Sequence, residues 1–295
     1  MTPSVAASPV RALSLRRLGA GTVAGLAILA AGLLAGILAP VLAPAGYDDQ
    51  DLGRRLRPPL GFGGTGASIL GTDPLGRDVL SRMLYGARTS LSIAAGAVAV
   101  ASAVGALLGL VSGYVGGRVD EAIMAAVEVQ LSYPYLLFAI AFMALLRPSL
   151  TNLVIVLVLR SWVVYVRLIR VSVLSIRERE FVNLAVALGA TGTRVLFRHI
   201  APNVIAPAIV VSTFQFAELF VVEASLSFLG LGIQPPLPSW GGMLSESREY
   251  LFDAWWLVVF PGAAIMAVVL GANLLGDGLR DWLDPRTRKL ASGQS

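Results

Sequence analysis

Most enzyme chemistry draws on nucleophiles, general acids and bases, or metal ligands, and this sequence of 295 residues is nearly stripped of them. Cysteine is absent and His199 is the single histidine, which leaves nothing to build a disulfide, a thiolate nucleophile, a thiolate metal site or a histidine cluster from. Lys289, in the C-terminal tail, is the single lysine. A phosphate-binding loop needs a lysine within Gly-x-x-x-x-Gly-Lys-Ser/Thr, and none is present, so any ATP that powers the chain is hydrolysed by another polypeptide. No carboxylates are paired at helical spacing inside the apolar runs. The expectation is a protein that is not an enzyme and uses no metal and no cofactor. The remaining chemistry is charge in costly places: Glu218 and Glu223 in one apolar run and Arg160 in another. An ionisable group inside a membrane span is by default functional and faces protein or water. Glu218 and Glu223 lie about 140° apart on a helix, so they do not share one narrow face. Arg160, Glu218 and Glu223 are therefore the candidates for a translocation pathway or its gate. Arg160 is able to pair with either glutamate, and the sequence leaves that choice open.

The elements that position these groups follow from composition. Hydrophobic residues make up 56% of the chain and charged residues only 14%, against about 25% charged in soluble domains. The expected fold is all-α, an integral membrane protein of six transmembrane helices. Apolar runs cover Leu18 to Gly46, Thr89 to Gly117, roughly residues 121–146, about 150–172, about 203–230, and Ala254 to Gly276. The first run far exceeds the roughly 7–15 residues of a signal-peptide core, so it reads as a retained span. Pairs such as Gly21/Gly25, Gly32/Gly36 and Gly105/Gly109 have the spacing that lets helices approach closely. Residues 71–82 read as a turn leading into a short interfacial helix. The chain divides into an N-terminal part, 1–70, and a core of five spans, 71–295.

Between the fourth and fifth spans lies a short polar stretch with an amphipathic core. Phe181, Leu184, Ala185 and Leu188 recur at i, i+3, i+4 and i+7, which puts one apolar face on a helix. Gly189 suits a left-handed C-cap, Thr191 and Thr193 suit the start of a second helix, and Pro202 reads as a break before the next span. The result is a helix–turn–helix knob that docks into a partner's groove in preference to lying on lipid. Just upstream, Arg160 and Arg167 fall about 20° apart on the helix wheel, with Arg170 and Arg177 on the same side. Arg167 and Arg170 read as snorkelling toward headgroups. Six spans put both termini on one side. Arg54, Arg55, Arg57, Arg77, Arg82, Arg88, Arg147 and Arg248 face the other side and are a minority of the 23 basic residues. The positive-inside rule then makes the termini and the knob cytoplasmic. The net charge of +5 is explained by topology and not by a nucleic-acid partner.

Three stretches carry a resemblance. Gly71-Thr-Asp-Pro-Leu-Gly-Arg-Asp-Val-Leu-Ser-Arg82 and its continuation to Leu91 resemble a family's entry into its second span. Arg179 to Gly189, continued through His199-Ile-Ala-Pro-Asn203, matches its cytoplasmic signature. Glu223 to Gly241 is very like its loop after the fifth span. The family is that of permease subunits of binding-protein-dependent ABC importers, in the dipeptide/oligopeptide/nickel branch, and within it the chain is similar to the C-type subunit. The family signature reads Glu-Ala-Ala, three residues, Gly; here Asn183 and Leu184 replace the first two, while Ala185 and Gly189 match. The resemblance implies a cell-membrane subunit that pairs with a second homologous permease, rests on two ATP-binding subunits and receives cargo from an extracytoplasmic substrate-binding protein. It implies a coupling loop built on Phe181, Asn183, Leu184, Ala185, Leu188, Gly189 and Pro202. Peptides are the implied cargo, with nickel chelates or glutathione as the alternative within the branch and a stand-alone secondary transporter as the rival outside it.

Overall fold

The computed structural model describes residues 19–64 and 68–283. The basic residues Arg11, Arg16 and Arg17 and the tail residues Arg286, Arg288 and Lys289, which weigh in the topology, lie outside the described residues. Helices dominate: α1 (Ala20–Ile37), α2 (Val79–Val115), α3 (Gly117–Leu131), α4 (Tyr135–Leu146), α5 (Leu150–Arg177), α6 (Glu180–Ala187), α7 (Gly192–Phe228), α8 (Trp240–Glu246) and α9 (Trp256–Leu283). Five of these are long and apolar enough to cross a membrane, and a sixth span exists if α3 and α4 count as one.

Three boundaries differ from the sequence expectation. The short interfacial helix is the first part of α2 itself: Asp78 accepts from the Ser81 N–H at 2.7 Å, and from that N-cap the helix continues unbroken for 37 residues. Capping satisfies an orphan donor at the helix start, so no second nucleus is needed downstream. The third span is bent by 87° between α3 and α4. Pro134 sits at the break; it offers no N–H and pushes Tyr133 before it out of helical geometry. Pro202, in contrast, does not break its helix. Residues Val195–Ile200 form a π-helical turn, and Pro202 falls in the first turn of the α-helical segment that follows, where a missing N–H is tolerated. The second helix of the knob and the fifth span are therefore one continuous helix, α7.

Without a hydrophobic force between helices in lipid, close approach depends on small residues. A Cβ on Gly105 would lie 2.6 Å from Tyr165 Cβ, on Gly109 2.8 Å from Ile169 Cβ, and on Gly113 2.8 Å from Val173 Cβ. One stripe of α2 therefore lies directly on α5 over about two turns. Of the N-terminal glycine pairs, Gly25 and Gly36 are the ones in tight contact, against the backbones of Gly271 and Arg88. Gly21 and Gly32 are more loosely packed.

Apolar clusters lie along the bundle. One, at the start of α2, gathers Val79, Leu91, Phe220, Trp240 and Trp256. Another, at the opposite end, gathers Ile169, Val173 and Ile176 of α5 with Val182, Val195, Ile200 and Val204. The second cluster seats the knob on the bundle, because Val182 is its inward-facing residue.

Candidate functional site

The knob is built from its turn outward. Gly189 adopts φ +83°, which a side chain would disfavour. Its N–H donates to Val186 O at 2.9 Å, and the Ala190 N–H donates to Ala185 O at 3.0 Å. This is the double closure of a Schellman motif, and it fixes where α6 ends without help from a partner. Thr191 holds the N-cap position of the following helix by backbone conformation, but its side chain makes no capping hydrogen bond. Val182 turns inward while Phe181, Leu184 and Leu188 turn out, with Leu184 62% and Leu188 87% exposed. Ala185 is half-buried. Asn183 donates through Nδ2 to the carbonyl of Glu178 at 3.4 Å, so it ties α6 to the C-cap of α5. Together these features make a helix closed at its own end whose apolar face is left uncovered by the described residues.

Within the spans, Arg160 pairs with Glu218, which resolves the choice the sequence left open. Gln215 donates through Nε2 to the other oxygen of Glu218 at 2.8 Å, and Ser161 Oγ hydrogen-bonds Gln215 Oε1. Ser161 and Gln215 are buried, whereas the side chains of Arg160 and Glu218 are 30% and 37% exposed. The Arg160 guanidinium also lies 5.5 Å from the centroid of the Tyr135 ring on α4. Tyr135 and the buried Gln215 amide flank the pair, and about a third of each charged side chain stays exposed.

Glu223 is elsewhere. It is fully buried, and Ser227 Oγ donates to its Oε1 at 2.8 Å. The same Ser227 oxygen accepts from the Ile233 N–H at 3.2 Å, which fastens the loop after α7. Glu223 Oε2 has no hydrogen-bond partner among the described residues. The structure thus does not bring together the three charged candidates; it joins two and encloses the third.

Two charge networks were missed by sequence reasoning. At the end of the bundle opposite the knob, Asp73 Oδ2 takes Arg77 Nε and Arg82 Nη1, both at 2.6 Å. Glu246 Oε2 takes Arg77 Nη2 and Arg82 Nη1, both at 2.7 Å. The side chains of Arg82 and Asp73 are 5% and 4% exposed. Nearby, Trp240 Nε1 donates to Met83 O and Trp256 Nε1 to Thr72 O, so residues 71–83, α8 and the start of α9 are clasped together. The i, i+4 spacing of Asp73 and Arg77 was visible, but nothing local links them to Glu246. The second missed network is Arg170 with Asp120, two hydrogen bonds of 2.6 Å. Arg170 is therefore an anchor between α5 and α3 and not a snorkelling residue, while Arg167 is exposed.

Comparison with known proteins bears on this arrangement. Residues 105–289 match the family described as binding-protein-dependent transport system inner membrane component. The dipeptide transport system permease protein DppC of Escherichia coli (strain K12) is 47% identical over 235 residues, which cover 79% of this chain and 78% of that protein. The dipeptide transport system permease protein of Alkalihalophilus pseudofirmus is 42% identical over 266 residues, 90% of this chain and 86% of the relative. The di/tripeptide transport system permease protein of Pseudomonas aeruginosa is 41% identical over 237 residues, 80% and 78% of the two chains.

Proposed function

We propose a mechanism for this chain from one premise: it belongs to the binding-protein-dependent transport system inner membrane component family, as a multi-pass membrane permease subunit. The function that fits best is import of di- or oligopeptides across the cell membrane by an ATP-driven complex. The names of the relatives support the peptide class. In this reading the chain pairs with a second homologous permease. Two separate ATP-binding subunits each accept one permease knob in a groove. An extracytoplasmic binding protein delivers cargo at the far end. The surplus of basic residues on the knob side supports cytoplasmic termini.

The observation that carries the reading is the exposed face of Phe181, Leu184 and Leu188 on a helix closed by its own Schellman turn. A coupling element has to transmit displacement without deforming. α6 is held at its inner side by Val182 and at its end by Gly189, and among the described residues none covers the outer side. Movement of an ATP-binding pair would press on this face and pass into α5 and into α7, which extends from the knob to the opposite end. Such closure of one domain against another is a familiar way to convert ligand binding into rigid-body motion. Pro202 serves this coupling as part of an unbroken α7, and Asn183 serves it by fixing α6 to α5. Glu223, through Ser227, holds the loop after α7 at the outer gate.

The test is a Leu184→Asp variant expressed with its partners. A charge in the centre of the docking face should leave the subunit in the membrane and reduce ATP-dependent dipeptide uptake by about 100-fold, in line with losing an anchor residue at an interface. Wild-type uptake by this variant would remove the docking role of the knob. Co-purification in mild detergent of a second permease and an ATPase is the accompanying check.

A further inference from the structure

We propose that the Arg160–Glu218 pair is a transit site for the two charged ends of a peptide, with Glu218 taking the α-ammonium and Arg160 the α-carboxylate. The inference rests on the peptide-importer reading and adds to it the groups that meet the cargo inside the spans.

A guanidinium and a carboxylate that stay about a third exposed do not face hydrocarbon, where each is costly. The exposed part therefore faces water or protein. The pair needs no further partner to be satisfied, because Glu218 already holds Arg160 and Gln215, so an additional subunit is not required to neutralise it. Its construction is that of a prepared site. Buried Gln215, itself held by buried Ser161, donates to the Glu218 carboxylate and sets its orientation. The Tyr135 ring lies beside the guanidinium, whose Nη2 is engaged by Glu218; an arginine's planar fork of donors is suited to receive a carboxylate in that partner's place.

The chemistry of the cargo matches. Peptides of different sequence share only their backbone and their two termini, and a permease that passes many of them has only those features to hold in common. In a dipeptide the carbons bearing the two charges are one Cα–Cα step of about 3.8 Å apart. One arginine and one glutamate that separate slightly then hold both ends, and they reclose when the cargo leaves. No charge is stranded at either stage, since the pair neutralises itself when empty and the zwitterion neutralises it when loaded. Half-burial keeps each hydrogen bond stronger than in open water yet weak enough to release.

The experiment uses the complete transporter in proteoliposomes with the dipeptide Ala-Ala and its C-terminal amide as cargoes. The double variant R160Q/E218Q replaces the ion pair by two amides that still hydrogen-bond each other. It should co-purify with its partner subunits as wild type does, and its Ala-Ala uptake should fall at least about tenfold, the scale of losing a charge-assisted hydrogen bond. R160Q alone should depress Ala-Ala uptake more than Ala-Ala-amide uptake; the ratio of variant to wild type for each cargo cancels the preference of the binding protein. Wild-type Ala-Ala uptake by the double variant would overturn the site. Loss of the partner subunits from that variant would also overturn it and make the pair an assembly contact. Wild-type proteoliposomes that import neither these cargoes nor longer alanine peptides would instead remove the peptide-importer reading itself, whatever the variants do.

Discussion

The clasp of Asp73, Arg77, Arg82 and Glu246 and the pair of Arg160 and Glu218 use the same residue types for opposite ends. In the clasp two arginines and two carboxylates interlock, each Arg reaching both acids, and three of the four side chains are nearly inaccessible. In the pair one arginine meets one glutamate, and both remain about a third exposed. Cross-linking and burial make the clasp hard to open, because departure of Asp73 or of either arginine leaves a nearly buried charge uncompensated. The pair opens at little cost, because water or cargo replaces the lost partner. The protein fixes the end far from the knob with the first arrangement and keeps a polar point between α5 and α7 responsive with the second.

Substitutions break this contrast in graded steps. Arg82→Ala removes the more buried of the two arginines that each contact both carboxylates and leaves Asp73 and Glu246 facing one guanidinium. The expected loss is about 3–5 kcal/mol, read as a large drop in thermal midpoint and in yield from detergent; a variant as stable as wild type would show that the clasp is ornamental. Glu246→Gln retains an acceptor for one arginine and removes one charge, so a smaller loss of about 1–3 kcal/mol is expected in the same measurement. The coupling energy between Arg160 and Glu218, from a double-mutant cycle on thermal stability, should be the smallest, below about 1 kcal/mol after allowance for solvent screening. A coupling as large as that of the clasp would make the pair a structural bond and erase the distinction. Salt sharpens the same point: raised ionic strength should leave the stability of the clasp unchanged.

How much of this was legible depends on the range over which a signal acts. The knob is local, so its periodicity from Phe181 to Leu188 and the left-handed Gly189 were readable from consecutive residues. The structure adds that Ala185 supplies the acceptor closing the turn, a role its side chain does not reveal. The choice of Glu218 over Glu223 as the partner of Arg160 was not readable, because it depends on the relative rotation and height of two helices 58 positions apart in the chain. Glu246 was hidden for the same reason, 164 residues from Arg82. The two prolines are the instructive case. Pro134 and Pro202 carry the same missing donor, yet one accompanies a sharp bend and the other lies in a continuous helix. What separates them is the widened turn just before Pro202, a feature with no residue-type signature.

That widened turn has one more consequence. A π turn contains a residue more than an α turn needs for the same hydrogen-bonded closure. Deleting one residue between Val195 and Ile200 would bring the two helical segments into a single phase and swing everything on the knob side by about 100° around the axis of α7. Leu184 and Leu188 would then address a different quarter of the surface beneath the bundle, although no side chain in the knob had changed. The heading of the knob is set by a count of residues, and a length change of one is enough to reset it.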